Sequence, residues 1–453
     1  MNKHLPEIDF SRVKTVFERE LAHNSERTRK SQALLLSAKK VMPSGVPMAW
    51  MSGFYETPPM FIEKGDGAYF EDVDGNRYLD MNQADLAASC GFTPQAVIDA
   101  VQQRITKGTA FLLPTESATQ VSGLLVERYH LPKWQFTLAA SSANTEAIRL
   151  ARAATGRDQI LMFYGRYHGH WDDVMVESSP GQSRVEFIGL PRDAGLRASN
   201  VPFNDLDELE AALKTKRYAC LIAEPAMTNC GLVQPDEGFW RQAYALCKHH
   251  GSLLVLDETH TQTFAYGGLK ALWKLDCDIY TIGKCLGGGI PIGAYGMSNE
   301  LAQVAEDNID RYRGGHVLPL GGTLFGNALS LTAAKAVLEN VLTADAYAQV
   351  TLFGKQLSDG LNRIFKDHDL PWCAPHLGGR SGYCLTPELP RNSDEASQSL
   401  NYELIDARRC FLINRGIWDA IASAGPSASF AHQGTDIDKY LNVVDEFISE
   451  IRR

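Results

Sequence analysis

The chain has 453 residues, of which 44% are hydrophobic and 22% are charged, and its formal net charge is −10. This composition excludes a disordered chain, and the length predicts two domains or one large domain. Because acidic and basic residues are interspersed without a long run of one sign, we expect no nucleic-acid partner.

The cysteine pattern and the hydropathy of the chain indicate a cytoplasmic protein that does not enter a membrane. Nine cysteines at irregular positions, with no CxxC pair, indicate neither a zinc module nor a disulfide framework. His249 and His250 are adjacent at the end of a predicted helix. We interpret them as residues that interact favourably with the negative end of the helix dipole, so no metal site is predicted. The N-terminal residues lack the apolar core of a secretory signal, and no run of about 18 apolar residues occurs.

The predicted elements change in character along the chain. Residues 11 to about 42 predict a charged helical segment, which Pro43-Ser44-Gly45 ends. Next, the alternating stretch GAYFEDVDGNRYLDM is broken by Asp74-Gly75, a strong signal for a tight antiparallel hairpin. From about residue 95 to 340, short apolar runs alternate with amphipathic segments: QILMFYG, ACLIAEPA, SLLVLDE and IYTIGK. This alternation predicts an α/β fold with a mostly parallel sheet and helices on both faces.

From about residue 341 onward, the sequence predicts helices and short strands, with the strands in GYCLTPELP and SASFAH. We interpret them as a smaller α+β domain that the N-terminal segment joins. The predicted division is therefore an N-terminal segment of residues 1–80, a large domain of residues 81–340 and a small domain of residues 341–453.

Two residues that follow apolar runs are candidates for chemistry. Ligands bind at the carboxyl ends of parallel strands, so Asp257, after LLVL, lies where a cofactor would bind. For a lone aspartate, a helix cap or a structural salt bridge is the simpler interpretation. Lys284 stands among glycines in IGKCLGGG, and a partly buried lysine is a usable amine nucleophile for a carbonyl compound. The glycines lack the GxGxxG spacing of a nucleotide loop.

The stretch SSANTEAIRLARAATG opens a strong predicted helix with small and polar residues. The free N–H groups of such a start suit a phosphate, although a structural N-cap explains the same residues equally well. A cofactor that needs a lysine, a carboxylate for a ring nitrogen and a helix start for a phosphate is pyridoxal 5′-phosphate (PLP). The three features together predict PLP.

A series of short blocks makes the cofactor prediction specific: GAYFEDVDGNRYLD, NTEAIRLARAATGR, YHGHWDD, EPAMTNCG, LLVLDE, TIGKCLGGGIPIGAYG, GGTLFGNALS and LINRG. With these blocks the chain resembles the class III aminotransferases of PLP fold type I, and most closely the glutamate-1-semialdehyde 2,1-aminomutase branch. The resemblance implies a large PLP-binding domain with a mostly parallel central sheet and a smaller α+β domain.

The resemblance also implies roles for individual residues. Lys284 would attach the cofactor covalently and move the proton, Asp257 would pair with the pyridine nitrogen, and Tyr167 would stack on the ring. Further cofactor contacts are implied for Ala143, Asn144 and Thr145 at the phosphate turn, for His168, Glu224, Asn229 and Thr259, and for Thr323 of a neighbouring subunit. The last contact implies a homodimer with shared active sites. His260 is expected to form a hydrogen bond near the cofactor.

The substrate side departs from the resemblance. A gapless count places Trp50 where the aminomutase is expected to hold an arginine for its substrate carboxylate. We therefore expect transfer of an amino group from an amine or amino acid to a separate carbonyl acceptor through pyridoxamine phosphate. Arg380 and Arg391 are alternative carboxylate anchors. The alternatives for the activity are the intramolecular aminomutase reaction and, in another class, a PLP-binding protein without turnover.

Overall fold

The computed structural model describes residues 5–53, 55–181, 187–308, 317–422 and 424–452. Its α-helices, in chain order, are α1 (Phe10–Arg27), α2 (Arg29–Ala38), α3 (Gln95–Ile105), α4 (Glu116–Tyr129), α5 (Ala140–Thr155), α6 (Leu206–Leu213), α7 (Phe239–His250), α8 (Gly268–Trp273), α9 (Asn299–Asp307), α10 (Ala328–Asn340), α11 (Ala344–Asp367), α12 (Ser393–Gln398), α13 (Tyr402–Asn414) and α14 (Gly434–Ile451). Its strands are β1 (Ile62–Asp66), β2 (Tyr69–Asp72), β3 (Arg77–Asp80), β4 (Lys133–Thr137), β5 (Gln159–Phe163), β6 (Ala198–Val201), β7 (Tyr218–Ala223), β8 (Leu253–Asp257), β9 (Ile279–Ile282), β10 (Gly293–Met297) and β11 (Ile417–Trp418).

The chain divides into two compact units. Unit 1 comprises Met1–Pro94, Ala348–Pro390 and Ala396–Arg453, and unit 2 comprises Gln95–Tyr347 and Arg391–Glu395. None of the helices in the described ranges is both long and apolar enough to cross a membrane.

Unit 2 is built on a seven-stranded sheet with the order β4-β10-β9-β8-β7-β5-β6. Strand β10 pairs antiparallel with β4 and β9, whereas the pairs from β9 through β8, β7 and β5 to β6 are parallel. Every residue of β7 and β9 is buried, as expected for strands that helices cover on both faces. The predicted α/β fold with a mostly parallel sheet is confirmed.

Helix α7 illustrates how the sequence specifies the elements of unit 2. Its buried residues Phe239, Ala243 and Cys247 recur at helical spacing, and Gly251 ends the helix in the left-handed conformation with φ +69°. Strand β8 begins two residues later, so the chain passes directly from a capped helix into the interior of the sheet. The predicted helix that ends at His249 and His250 is confirmed.

Unit 1 contains a four-stranded sheet with the order β1-β2-β3-β11. The predicted hairpin at Asp74-Gly75 is confirmed, because β2 and β3 pair antiparallel and Gly75 has φ +87°. Asp72 fixes the turn by accepting hydrogen bonds from the backbone N–H groups of Asp74 and Asn76, at 3.0 and 2.8 Å. The core of this unit includes apolar side chains of α1, α11, α13 and α14.

Two predictions about unit 1 are wrong in detail. The N-terminal helical segment is broken at Thr28, whose φ of −115° and ψ of 35° leave the helix and whose hydroxyl donates back to the Asn24 carbonyl. Strands were predicted in GYCLTPELP and SASFAH, but the described residues there form only isolated bridges, Cys373 with Cys384 and Arg380 with Ser427. Pro387 and Pro390 lack the N–H donors that a longer ladder needs.

Replacement of Gly123 by alanine should stabilise unit 2. Gly123 lies exposed inside α4, and a Cβ there would meet nothing within 4 Å. Because alanine loses less backbone entropy than glycine in a helix, we expect Gly123→Ala to raise the free energy of unfolding by about 0.5–1 kcal/mol in denaturant titration. In the matched control Gly296→Ala, the new Cβ would lie 2.8 Å from the Trp134 ring and should lower stability. A Gly123→Ala protein less stable than the parent would contradict this description of α4.

Candidate active site

The candidate site lies where strands β8 and β9 end side by side. The two strands are parallel, and Asp257, the last residue of β8, is paired with Thr281 of β9. Lys284 lies two residues after the end of β9, so Asp257 and Lys284 are placed at the ends of neighbouring strands, at one edge of the sheet. The Gln262 side-chain amide donates to the Gly283 carbonyl at 2.8 Å and links the two segments that follow the strands.

Lys284 has a left-handed backbone conformation. Its φ is +48°, a region that residues other than glycine seldom occupy. Gly283 precedes it in an extended conformation, and Gly288 follows with φ +56°. The glycines thus supply the turns around the lysine, while the lysine itself is held in a strained conformation. Strain of this kind is concentrated at functional sites.

Asp257 is a buried carboxylate with four hydrogen-bond donors. Its Oδ2 accepts from Asn144 Nδ2 at 2.7 Å and pairs with His168 Nδ1 at 2.8 Å. Its Oδ1 accepts from the Thr259 backbone N–H at 3.0 Å and from the Thr259 hydroxyl at 2.5 Å. Burial raises the pKa of Asp257, but the contacts with His168 and Thr259 outweigh burial and lower it to about 2. The edge of the sheet therefore carries a negative charge that can hold a protonated ring nitrogen.

Asn144 is the residue that fastens this carboxylate to helix α5. Besides Asp257, its Nδ2 donates to the His168 carbonyl at 2.9 Å, and its Oδ1 accepts from the Thr281 hydroxyl at 2.6 Å. The side chain is buried and its amide bridges three segments of unit 2. The sequence did not predict this bridging role, because the residues around Asn144 do not indicate which distant residues its side-chain amide contacts.

The phosphate-turn residues lie inside α5, which begins at Ala140. Ala143 and Asn144 are buried, and the Thr145 hydroxyl donates to the Ser141 carbonyl at 2.9 Å. The first intrahelical bond runs from the Ala143 N–H to the Ala139 carbonyl. The N–H groups available to an anion are therefore those of residues 140–142, at the tip of the helix. A phosphate contact of residues 143–145 stays a prediction.

Two glycines allow the start of α5 to lie against the sheet. A Cβ on Gly283 would come within 2.8 Å of the Ala140 Cβ and 2.9 Å of the Ala140 nitrogen. A Cβ on Gly293 of β10 would lie 2.5 Å from the Ala139 carbonyl oxygen. Real Cβ atoms do not approach other atoms so closely. The helix start can reach the edge that holds Asp257 only because β10 and the segment after β9 present glycine there.

The loop after β5 approaches the same helix start. Gly169 has φ +109°, and a Cβ there would lie 2.7 Å from the Ser141 Cα. The Ser141 Oγ accepts from the His170 backbone N–H at 3.2 Å. This close contact positions Tyr167 and His168, which precede the glycine. Tyr167 is 51% exposed, so its ring is accessible for stacking.

Glu258, the second carboxylate after β8, has a structural role. Its Oε2 accepts from the Leu269 N–H at 2.7 Å and its Oε1 from the Lys270 N–H at 2.6 Å, so it caps the first turn of α8 from the interior. The Thr261 hydroxyl donates to Oε2 at 2.8 Å. Burial raises the pKa of Glu258 to about 7. The two neighbouring carboxylates thus have different roles. Asp257 presents a negative charge, and Glu258 caps the start of α8.

A second network surrounds Glu224, just after β7. Its Oε1 accepts from Asn229 Nδ2 at 3.0 Å and from the Tyr167 N–H at 3.4 Å. Its Oε2 accepts from the Thr228 N–H at 3.1 Å and also from the Thr228 hydroxyl. The Thr228 hydroxyl also lies 2.6 Å from His260 Nδ1. Glu224 therefore joins the Tyr167 loop to the loop that carries Asn229. The proposed cofactor contacts of Glu224, Asn229 and His260 stay predictions.

The remaining predicted residues are placed as follows. Thr323 is exposed in unit 2, in a turn before α10. Trp50 belongs to unit 1 and is 50% exposed. Arg380 is buried in unit 1. Arg391 is paired with Asp236 on the surface of unit 2.

The groups at this edge fit PLP. An ionised carboxylate suits the pyridinium, an exposed tyrosine ring suits a ring face, and a helix start enclosed by glycines suits the phosphate. Lys284 supplies the amine. All of these residues belong to unit 2.

Comparisons with known proteins also indicate a protein that binds PLP. The chain matches the family model described as aminotransferase class-III over residues 51–382. It is 34% identical over 437 residues to a glutamate-1-semialdehyde 2,1-aminomutase of Chloroflexus aurantiacus, covering 92% of this chain and 96% of that protein.

Two solved structures share the fold over nearly the full length. A lysine-to-alanine variant of a glutamate-1-semialdehyde-aminomutase from Pseudomonas aeruginosa PAO1, in complex with PMP, has a TM-score of 0.92 at 32% identity, covering 98% of this chain and 100% of that chain. An omega-transaminase from Sphaerobacter thermophilus has a TM-score of 0.84 at 25% identity, covering 93% of this chain and 97% of that chain. The predicted fold type I and the predicted PLP cofactor are confirmed.

Replacement of Asn144 by alanine should loosen the site and destabilise unit 2. The Thr281 hydroxyl would lose its acceptor and the buried Asp257 carboxylate one donor, which should lower the free energy of unfolding by about 2–3 kcal/mol. Urea unfolding of the cofactor-free protein measures this change, and a titration with PLP should show weaker binding. Thr155→Ala is the control and should cost much less, because the Thr155 hydroxyl donates to the Ala151 carbonyl and accepts from the Arg157 N–H, both near the end of α5. Equal losses in the two variants would contradict the bridging role of Asn144.

Proposed function

Because this chain belongs to the class III aminotransferase family, and is thus a PLP-dependent enzyme, we propose that it transfers an amino group between two separate molecules. The donor is an amine or amino acid, and the acceptor is a keto acid or another carbonyl compound. The aminomutase reaction, in which one molecule exchanges its own amino positions, is the second candidate.

The observation that carries this choice is the absence of arginine from a long part of the N-terminal segment. Between Arg29 and Arg77 the sequence contains no arginine. The expected arginine is therefore absent from this segment even if a residue other than Trp50 occupies its position. A guanidinium binds a carboxylate through two parallel hydrogen bonds, which neither lysine nor tryptophan reproduces. An indole instead offers an apolar wall. The substrate clamp that the resemblance implies for the aminomutase is therefore missing from this segment.

The residues of unit 2 would divide the work of amino transfer among them. When bound, PLP supplies a ring that accepts electrons and so makes the proton on the amine-bearing carbon removable. Asp257, ionised because its pKa is lowered to about 2, would keep the ring nitrogen protonated. Lys284 Nζ would take up that proton and deliver it to the neighbouring carbon. Tyr167 would hold the ring from one face, and the start of α5 would bind the phosphate.

The second candidate is favoured by the relatives. An aminomutase is 34% identical over 92% of this chain, which is a higher identity than that of the omega-transaminase. The two candidates use the same cofactor chemistry and differ in whether a second substrate is needed.

Dependence on an acceptor separates the two activities. The purified protein, loaded with PLP, is given a series of single amines and amino acids, with and without pyruvate or 2-oxoglutarate. Transamination predicts sustained turnover only when the acceptor is present. Conversion of glutamate-1-semialdehyde at the same rate without any acceptor would overturn the proposal in favour of the aminomutase.

Replacement of Lys284 by alanine should abolish turnover with either type of substrate. Loss of the amine removes both the covalent attachment and the proton carrier, so we expect kcat to fall by about 10³-fold or more. Lys274→Ala is a matched control, since Lys274 is an exposed lysine that also has a left-handed backbone, with φ +53°. Initial rates and the visible absorbance of the bound cofactor measure the effect. Retained turnover in Lys284→Ala would remove this lysine from the mechanism.

The proposal includes a homodimer in which Thr323 contributes to the site of the partner. Unit 2 exposes an apolar strip, formed by Phe111, Leu112 and Leu113, with exposures of 45, 81 and 75%. The Thr109 carbonyl accepts from the Ala328 N–H at 3.0 Å, which holds this strip near the turn that contains Thr323. Exposed apolar surface of this kind supports contact with another chain.

Charges placed on the strip should separate the subunits. Leu112→Asp combined with Leu113→Asp is expected to convert the dimer to a monomer in sedimentation velocity and to weaken PLP binding, because a desolvated carboxylate opposes association. Leu352→Asp, at a leucine that is 57% exposed in unit 1, should leave both properties unchanged. A parent protein that sediments as a monomer would refute the dimer.

A further inference from the structure

Cys373 and Cys384 face each other across an isolated antiparallel bridge in unit 1. The Cys373 N–H donates to the Cys384 carbonyl at 3.0 Å, and the Cys384 N–H donates to the Cys373 carbonyl at 2.9 Å. Residues that exchange both backbone hydrogen bonds have Cα atoms about 5.5 Å apart and side chains on the same face. This separation lies within the range of about 4.4–6.8 Å that disulfides span. Both cysteines are free thiols here.

The two thiols differ in character. Hydrogen bonding from Cys384 lowers the pKa of Cys373, against the effect of burial. The same bond, together with burial, raises the pKa of Cys384. Cys373 is partly exposed, whereas Cys384 is 4% exposed. Thiolates rather than thiols are the nucleophiles, so Cys373 is the one suited to react with a molecule from solution.

Three cysteines buried elsewhere in the chain do not share these properties. Cys220, Cys247 and Cys410 are buried, and burial raises the pKa of each thiol. Such thiols are inert, because they are neither accessible nor ionised.

We propose that Cys373 and Cys384 form a reversible disulfide by exchange with a small-molecule disulfide such as oxidised glutathione. The Cys373 thiolate attacks one sulfur of oxidised glutathione, the glutathione S–S bond breaks, and one glutathione leaves as a thiolate that takes up a proton. The Cys384 thiol then loses its proton and attacks the mixed disulfide at Cys373, which releases the second glutathione. The second glutathione also leaves as a thiolate that takes up a proton. The protein loses two protons and two electrons, and one oxidised glutathione becomes two reduced molecules.

The disulfide would close the base of a loop that carries the buried Arg380. Within this loop the backbone N–H and carbonyl groups of Leu377 and Arg380 are paired, at 3.0 and 3.1 Å. The Ser381 N–H donates to the Pro426 carbonyl at 3.0 Å and ties the loop to the rest of unit 1. Because both ends of the loop are already aligned by backbone hydrogen bonds, closing the bond requires little rearrangement. Oxidation should therefore raise the thermal midpoint of the full-length protein.

Mass spectrometry of the PLP-loaded protein tests the proposal directly. After incubation with oxidised glutathione and alkylation of the remaining thiols, a peptide map should contain residues 373 and 384 cross-linked, with a mass lower by about 2 Da than the reduced pair. Dithiothreitol should reverse the change, and the oxidised protein should melt at a higher temperature. No cross-link after prolonged incubation, or a cross-link from Cys373 to another cysteine, would overturn the proposal.

Two variants test the order of attack. Cys384→Ser should stop the exchange after its first step, so a single glutathione should accumulate on Cys373, whereas Cys373→Ser should gain none at Cys384. Cys277→Ser, which removes a partly exposed cysteine from unit 2, is the control and should still form the cross-link. Glutathione on Cys384 in the Cys373→Ser protein would refute the assignment of the attacking thiol. The cross-link assay on the parent protein decides the proposal even where a serine variant does not fold.

Discussion

The active-site edge depends on the burial of one ionised carboxylate, that of Asp257. An uncompensated charge in the interior would cost several kcal/mol. Donors from three segments offset this cost, namely the Asn144 amide, the His168 imidazole and Thr259 in the turn after β8. Because these donors must meet the same two oxygen atoms, helix α5, the loop after β5 and the end of β8 are fixed relative to one another. The edge is thus organised by the protein alone.

The sequence was sufficient to predict the parts of the fold and site that follow from local pattern. Apolar runs indicated β7, β8 and β9, and polar residues directly after those runs indicated Asp257 and Lys284. The amide of Asn144 and the cap provided by Glu258 could not be predicted, because their partners come from distant parts of unit 2. The break at Thr28 was not predicted for another reason. The Thr28 hydroxyl donates to the Asn24 carbonyl of the preceding turn, and the helix ends there although the helical pattern of the sequence continues.

Cofactor chemistry and substrate recognition have separate sequence signatures in this chain. The amine, the carboxylate and the helix start lie in blocks that resemble the family closely, and all belong to unit 2. The segment between Arg29 and Arg77, where the arginine of the aminomutase is expected, belongs to unit 1 and contains no guanidinium. This division is the basis of the proposal that the chain transfers an amino group between two separate molecules.

The left-handed backbone of Lys284 affects the stability of the protein. A side chain at φ +48° costs the native state about 1 kcal/mol, and glycine would relieve that cost. The site thus presents its amine from a backbone conformation that glycine would adopt at lower cost, so part of the folding free energy is given up at the residue that carries the nucleophile.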